Sequence, residues 1–537
     1  MNLAITNGHI VTMDTSKPRT EALVVKNGKF VYVGDREGIK RYIDNTTEII
    51  DLEGKLLLPG FIDSHMHLYP YGNTLQMVNL RDVKSIDELI DRITEFIKMK
   101  GITSNQWLKG YGWNQDNFKE KRFPNRYDLD RVSKSIPICI TRGCSHIVVV
   151  NSKALELAGI HRTTKQIEGG HFDVDNNGEP LGIFRENARK LIVEKIPEPT
   201  VEEIKKIILD GAKNAIKNGI TSVQTNDIKV GPGQNYMNIL KAYEELREDK
   251  LLPIRVYEQC MILDFDSIEK FYHLGYKTGS GDEFFKIGPY KFMTDGSLGA
   301  RTAYLSKPYS DDPTTKGISV YNQEELDKMV KKAHDLGMQI AIHCIGDGAM
   351  YMCFDSFEKA YKDNPRKDTR HGLIHCQITD KKLLNKFKEL SMIAYIQPIF
   401  LNYDLHIVED RIGKDRVGAT YNWRRMYDEG IHLVNGSDCP VETLNVIEGI
   451  YSAVTRKDLN GYPENGWLPE QKLTVDEAVY GYTLGAAYTS FEEHMKGSIE
   501  VGKQADMVVL SENIYEIHPD KIKDVKVDMT FVGGKLV

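Results

Sequence analysis

The stretch GFIDSHMHLYPYG, residues 60–72, decides how the chain is read. Pro59 and Gly60 open a short apolar segment in which Asp63, His65 and His67 stand two positions apart. In an extended strand, side chains alternate between faces, so these three point one way and Met66 and Leu68 the other. Two imidazoles then converge on one point at the end of a strand.

Working outward, seven further apolar segments alternate with helical stretches: GITSVQTN, LPIRVYEQCMI, FKIGPYKFMTDG, MQIAIHCIGD, HGLIHCQ, MIAYIQPIF and IHLVNGSDCP. Between them lie VEEIKKIILDGAKNAIKNG and NQEELDKMVKKAHDLG, with apolar residues at helical spacing and a glycine near the end as a stop signal. Eight strand–helix units predict an α/β fold, a closed (β/α)8 barrel of the TIM type. The first interval, residues 68–218, is far longer than the roughly 30 residues a βα unit needs. An inserted subdomain after the first barrel strand, near residues 70–200, accounts for it.

The two ends read differently. LAITNGHIVTM and EALVVKNGKFVYVGD near the start, and KGSIEVGKQADMVVL and KVDMTFVGGKLV near the end, are short strands broken by turns. Asn27-Gly28 and Gly533-Gly534 sit at hairpin positions. Neither end can bury a core alone, so residues 1–56 and 490–537 are expected to form one small β-sandwich domain, with the barrel spanning 57–489.

Composition narrows the function. The net charge of -7 is spread along 537 residues without a basic block, which argues against nucleic acid as a partner. No apolar run approaches the roughly 18 residues of a membrane span, and the start lacks a basic, apolar leader. Seven scattered cysteines fit a reducing compartment, the cytoplasm, better than a disulfide framework. Cys344, Cys376 and Cys439 each follow a candidate donor and are read as small buried hydrophobes. A small-molecule substrate is the expected partner, and a homodimer the default assembly.

Other barrel strands end as the first does. Lys291, His343, His375 and Asp438 each stand at or near a C-terminal strand end, the face on which barrel enzymes build active sites. A lone HxH pair is weak evidence, because a buried histidine is more often satisfied by a hydrogen bond. Recurrence on four more strands turns it into a metal-site reading. An isolated Asp in NGSDCP is ordinarily a turn or cap residue, and its place at the eighth strand end reverses that.

On these residues the chain resembles the amidohydrolase superfamily over nearly its whole length. LPGFIDSHMH matches the first-strand motif, and KFMTDGSLGARTA, GCSHIVVVNSKALELAGI and GKQADMVVL resemble the N-substituted formamide deformylase-like branch. The resemblance implies one or two divalent ions, usually zinc, and a metal-activated water attacking a carbon–nitrogen bond of an N-substituted amide, formamide or cyclic amide. It also implies roles: His65, His67 and Asp438 on the more buried ion, His343 and His375 on the second, and Lys291 bridging them after carboxylation by carbon dioxide. A protonated lysine has no lone pair to offer, so without that modification Lys291 would be a cation held against Asp295 or substrate.

Asp438 is the candidate base, with His375 and His146 as further groups for handling the proton or the oxyanion. Arg142 and Arg185 could pair with a substrate carboxylate or be surface ion pairs. Tyr111 and Trp113 could wall an apolar pocket or belong to the insertion core. His371, four before His375 and on the same strand face, reads as a residue supporting the ligands or at the strand entry rather than as a ligand. Rival readings are an esterase or deaminase using the same site, or a non-catalytic regulator that keeps the fold.

Overall fold

The computed structural model of the protein describes residues 2–144 and 146–537. Eight parallel strands form its central sheet: β1 (Phe61–Met66), β2 (Ile220–Thr225), β3 (Arg255–Ile262), β4 (Phe285–Met293), β5 (Ile340–Cys344), β6 (Gly372–His375), β7 (Ile393–Ile396) and β8 (His432–Asn435). Each pairs in parallel with the next, from β1 to β8. These are the eight segments expected from the sequence. They are buried almost throughout, as strands enclosed by helices must be.

The ring is nearly closed. Among the described residues no ladder joins β8 to β1; the gap is bridged where the chain leaves β8. Asp438 N donates to His65 O at 2.8 Å, and His67 N donates to Cys439 O at 2.8 Å. Below them the Asp63 carboxylate accepts from Ser437 Oγ at 2.6 Å and Ser437 N at 3.0 Å. Gly436 permits this approach, since a Cβ there would stand 2.7 Å from His65 N and 2.9 Å from His65 O.

The helices expected between strands are present. Val201–Lys217 buries its Ile and Ala stripe, and Gln323–Asp335 starts at Asn322, whose side chain accepts from Glu325 N. The first candidate strand departs from the sequence reading by dividing at Gly60. Leu56–Pro59 leaves the barrel and pairs antiparallel with Met507–Leu510.

That pairing builds a second, eight-stranded sheet from both chain ends. Its order runs Lys535–Leu536, Val527–Val532, Met507–Leu510, Leu56–Pro59, Asn2–Val11, Arg19–Lys26, Lys29–Gly34, with Thr47–Asp51 also on Asn2–Val11. Asn27-Gly28 and Gly533-Gly534 make the two-residue turns, all four with positive φ. Arg255 at the start of β3 donates to Asp506 at 2.8 and 3.2 Å, tying barrel to sheet inside one compact unit of residues 1–71 and 204–537.

Residues 72–203 are a second compact unit. It holds a six-stranded sheet and the helix Ile86–Lys100, capped by Ser85 at one end and by Gly101 with φ 64° at the other. Its core gathers Trp113, Phe118, Leu89, Ile93 and Ile140. Among the described residues no helix is long and apolar enough to cross a membrane, and all seven cysteines are free.

Candidate metal centre

Five of the six expected donors crowd the C-terminal mouth of the barrel. His67 Nε2 lies 3.0 Å and His65 Nε2 3.4 Å from Asp438 Oδ1. Ligand atoms of the three all fall within 4.8 Å of one another. Lys291 Nζ is 3.2 Å from His65 Nε2 and 3.1 Å from Asn226 Oδ1, so β4 turns this lysine inward, towards Asn226 and not Asp295. The His375 ring meets the His65 ring at 5.8 Å between centroids. His343, the sixth, joins through His375, the two centroids being 4.4 Å apart.

The rings are held by groups whose own orientation is fixed. Gln259 gives its Nε2 to Ser64 O at 3.0 Å, so its Oε1 must accept, and it does so from His65 Nδ1 at 2.6 Å. His67 Nδ1 faces the carbonyl oxygen of Asn226 at 2.8 Å and must be the protonated nitrogen. A neutral ring so held presents its Nε2 lone pair towards Asp438. Burial, reinforced by Lys291, pushes His65 down to about 4, so it is neutral at pH 7. Two lone pairs and a carboxylate oxygen directed at one point make a stable arrangement around a cation. The donor set thus fits a divalent ion held by two imidazoles and a carboxylate, with each ring braced from behind.

His375 sits 2.7 Å from Gln397 Oε1 through Nδ1, and burial, then His343, pushes it well below its ordinary value. His343 turns Nε2 to Gly296 O at 3.1 Å, which leaves Nδ1 as its free donor. Lys291 is pushed down to about 8 by burial, so its free amine is accessible near neutral pH. Two donors also occupy the left-handed region, His375 at φ 85° and Asp438 at φ 57°. For non-glycine residues such backbone is strained by the order of 1–3 kcal/mol, and it concentrates at functional sites.

The remaining sequence candidates fall within residues 72–203. His146 is exposed and pairs with Glu186 at 2.9 Å. Arg142 is held by Gln115, Asn114 and Asp116, and Arg185 forks onto Asp173 at 2.8 and 3.0 Å. Each arginine therefore already has a protein partner. Tyr111 is half-buried beneath the Arg81 guanidinium. Trp113 corrects the reading of a pocket wall: it is wholly buried against Phe118 and Phe123 and presents no face to a ligand. Sequence reasoning missed Asn226, Gln259 and Gln397, the neutral amides that set the rings. Their place in or just after barrel strands, beside the donors, was their sole signal.

A model of the amidohydrolase family matches residues 48–537. The chain belongs to the amidohydrolase family. Among relatives of this amidohydrolase, YtcJ of Bacillus subtilis (strain 168) is 33% identical, over 99% of this chain and 98% of that protein. N-substituted formamide deformylase of Arthrobacter pascens is 24% identical, over 100% and 98% of the two. Among solved structures, an uncharacterized metal-dependent hydrolase from Pyrococcus horikoshii OT3 superposes with a TM-score of 0.78 at 30% identity, over 97% of this amidohydrolase and 99% of that chain. Family and neighbour together support hydrolase activity for this amidohydrolase, with a divalent metal at the barrel mouth.

Proposed function

We propose that the protein hydrolyses a non-peptide carbon–nitrogen bond, in an N-substituted amide, a formamide or a cyclic amide. The observation that carries this is the meeting of His65 and His67, tautomers fixed, with Asp438 beside the buried amine of Lys291. Zinc is the ion this nitrogen-rich set favours. When bound, it supplies Lewis acidity towards the substrate carbonyl and a water of lowered pKa.

The chain supplies the rest. Gln259 and Asn226 keep the His65 and His67 lone pairs inward. Asp438 accepts the proton of the attacking water and hands it to the departing nitrogen, so that an amine and a carboxylic acid leave. Lys291, carboxylated by carbon dioxide, would offer oxygen donors between His65 on one side and His343 and His375 on the other; its lowered pKa supports this, since only the free amine reacts. The deformylase kinship supports an amide-type bond over an ester.

On the same reading, residues 1–56 and 490–537 act as one β-sandwich domain flanking the catalytic barrel, supported by the sheet the two ends share. The cytoplasm is the proposed compartment, supported by seven free cysteines.

The test is metal content joined to turnover. Purified protein is expected to carry one to two equivalents of zinc or a similar ion and to hydrolyse members of a panel of amides, hydantoins and lactams. His65→Ala combined with His67→Ala should lose both. Protein that neither carries nor takes up metal, or loaded protein inert on the whole panel, would overturn the proposal.

A further inference from the structure

A cleft of about 180 Å³ opens beside the donor cluster, lined by the segments that follow five of the barrel strands. It adjoins the cluster through Phe400, whose ring stacks on His375 at 5.8 Å and 21°. Its apolar walls include Leu298, Ile345, Phe400 and Tyr403. Among its polar lining, Gln377, Asp404 and Glu442 present carbonyl and carboxylate oxygens.

The orientation of the first is fixed by its neighbours. Gln377 gives Nε2 to Asp404 Oδ2 at 3.3 Å, and its Oε1 is buried with no hydrogen-bond partner. An amide oxygen left so costs of the order of 1–3 kcal/mol unless a ligand supplies a donor. Asp404 takes its other hydrogen bond from the Tyr421 hydroxyl. Glu442 has only a backbone bond, from Thr443, and no lysine or arginine forms an ion pair with either carboxylate among the described residues. Burial without a counter-cation pushes Asp404 up to about 6 and Glu442 up to about 7. A hydrated metal ion would find four apolar and aromatic walls here. A planar organic cation would find a ring to stack on and three acceptors for its N–H groups.

We propose that this cleft is the specificity subsite for a cationic, donor-rich nitrogen group on the substrate, of the amidinium or guanidinium type. The proposal rests on reading the adjoining donor cluster as the hydrolytic site. The recognised group would sit on the part of the substrate that does not react, with Phe400 against its plane and Gln377 Oε1, Asp404 and Glu442 around its edge.

Calorimetric titration of the metal-loaded protein with benzamidine and with benzyl alcohol, a neutral aromatic of similar size, tests this without turnover. Benzamidine is expected to bind at least about tenfold more tightly. Glu442→Gln, at a half-exposed position, and Asp404→Asn should each remove most of that preference, with near-ultraviolet circular dichroism reporting that the fold persists. Equal affinity for the two probes, or a preference unchanged in Glu442→Gln, overturns the subsite. A protein that selects benzamidine but hydrolyses no amide keeps the subsite and loses the hydrolase reading. One that hydrolyses amides but ignores benzamidine does the reverse.

Discussion

Asp438 is asked to hold a cation and to move a proton, and a single oxygen-for-nitrogen exchange separates the two tasks. Asn at this position can still offer an oxygen but accepts no proton at neutral pH. Asp438→Asn is therefore expected to keep at least part of its metal while losing about a hundredfold or more in kcat, the scale for removing a positioned base. The loss should fall on kcat more than KM, because proton transfer belongs to the transition state. Steady-state kinetics with elemental analysis checks this, and turnover within a few-fold of wild type removes Asp438 from the mechanism. Lys291→Ala should lose the second ion and most activity, and added short carboxylic acids should restore part of it by replacing the missing oxygens; unchanged metal content and rate would make the lysine structural. The donors were legible in the sequence because charged or ligating residues at strand end after strand end are improbable in a buried sheet. Gln259, Asn226 and Gln397 were not, since a neutral amide looks the same whether it braces a ring or caps a turn. Trp113 stayed open between two readings, because an aromatic beside glycines reads equally as pocket wall or as core, and its burial chooses the core.

At the scale of elements, β6 enters the barrel through a histidine relay at the end away from the donors. His371 Nδ1 accepts from Ile340 N at 3.0 Å, so its Nε2 carries the proton and donates to His334 Nδ1 at 3.0 Å. His334 in turn donates from Nε2 to Asn364 O at 2.8 Å. The relay works only if both rings are neutral. Burial pushes His371 well below its ordinary 6.5, and burial also lowers His334. The unfolded chain thus takes up protons near pH 6.5 that the folded one refuses, and stability is present above that pH and is lost as pH falls below it. Urea denaturation should show wild type losing up to ~1.4 kcal/mol per pH unit more than His371→Gln below about pH 6.5. Parallel pH profiles for the two proteins would show that the relay does not titrate. The eight barrel strands were legible because short apolar runs recur between amphipathic helices. The division of the first at Gly60 was not, since residues 56–66 are apolar enough for either sheet, and what separates them is a partner more than four hundred residues downstream.

Across the whole molecule, the barrel and the terminal sheet share the buried Arg255–Asp506 pair, both ends nearly inaccessible. Asp506→Ala leaves the buried guanidinium with the exposed Glu283 as its remaining ion-pair partner and also removes the acceptor of Gly533 N. A loss of about 3–5 kcal/mol is expected in urea denaturation, in one transition reported alike by barrel and sheet probes; a separate early sheet transition would show that the two do not unfold together. The pairing of the two chain ends could be inferred from their matching turn-broken strands. The arrangement of the inserted unit could not, because its six strands follow no periodic spacing. The split at Gly60 also bears on biosynthesis. The ribosome delivers residues 56–66 early, with Asn2–Val11 already made, yet their other neighbours emerge much later: Ile220–Thr225 first, then Gly436–Cys439, and last Met507–Leu510. Until then an apolar stretch waits with an edge open, the condition in which nascent chains stick to one another. Chains terminated before Met507 should collect in the insoluble fraction, and their recovery as soluble, metal-loaded protein would contradict this. His65 and His67 are thus among the first donors translated and among the last able to hold an ion.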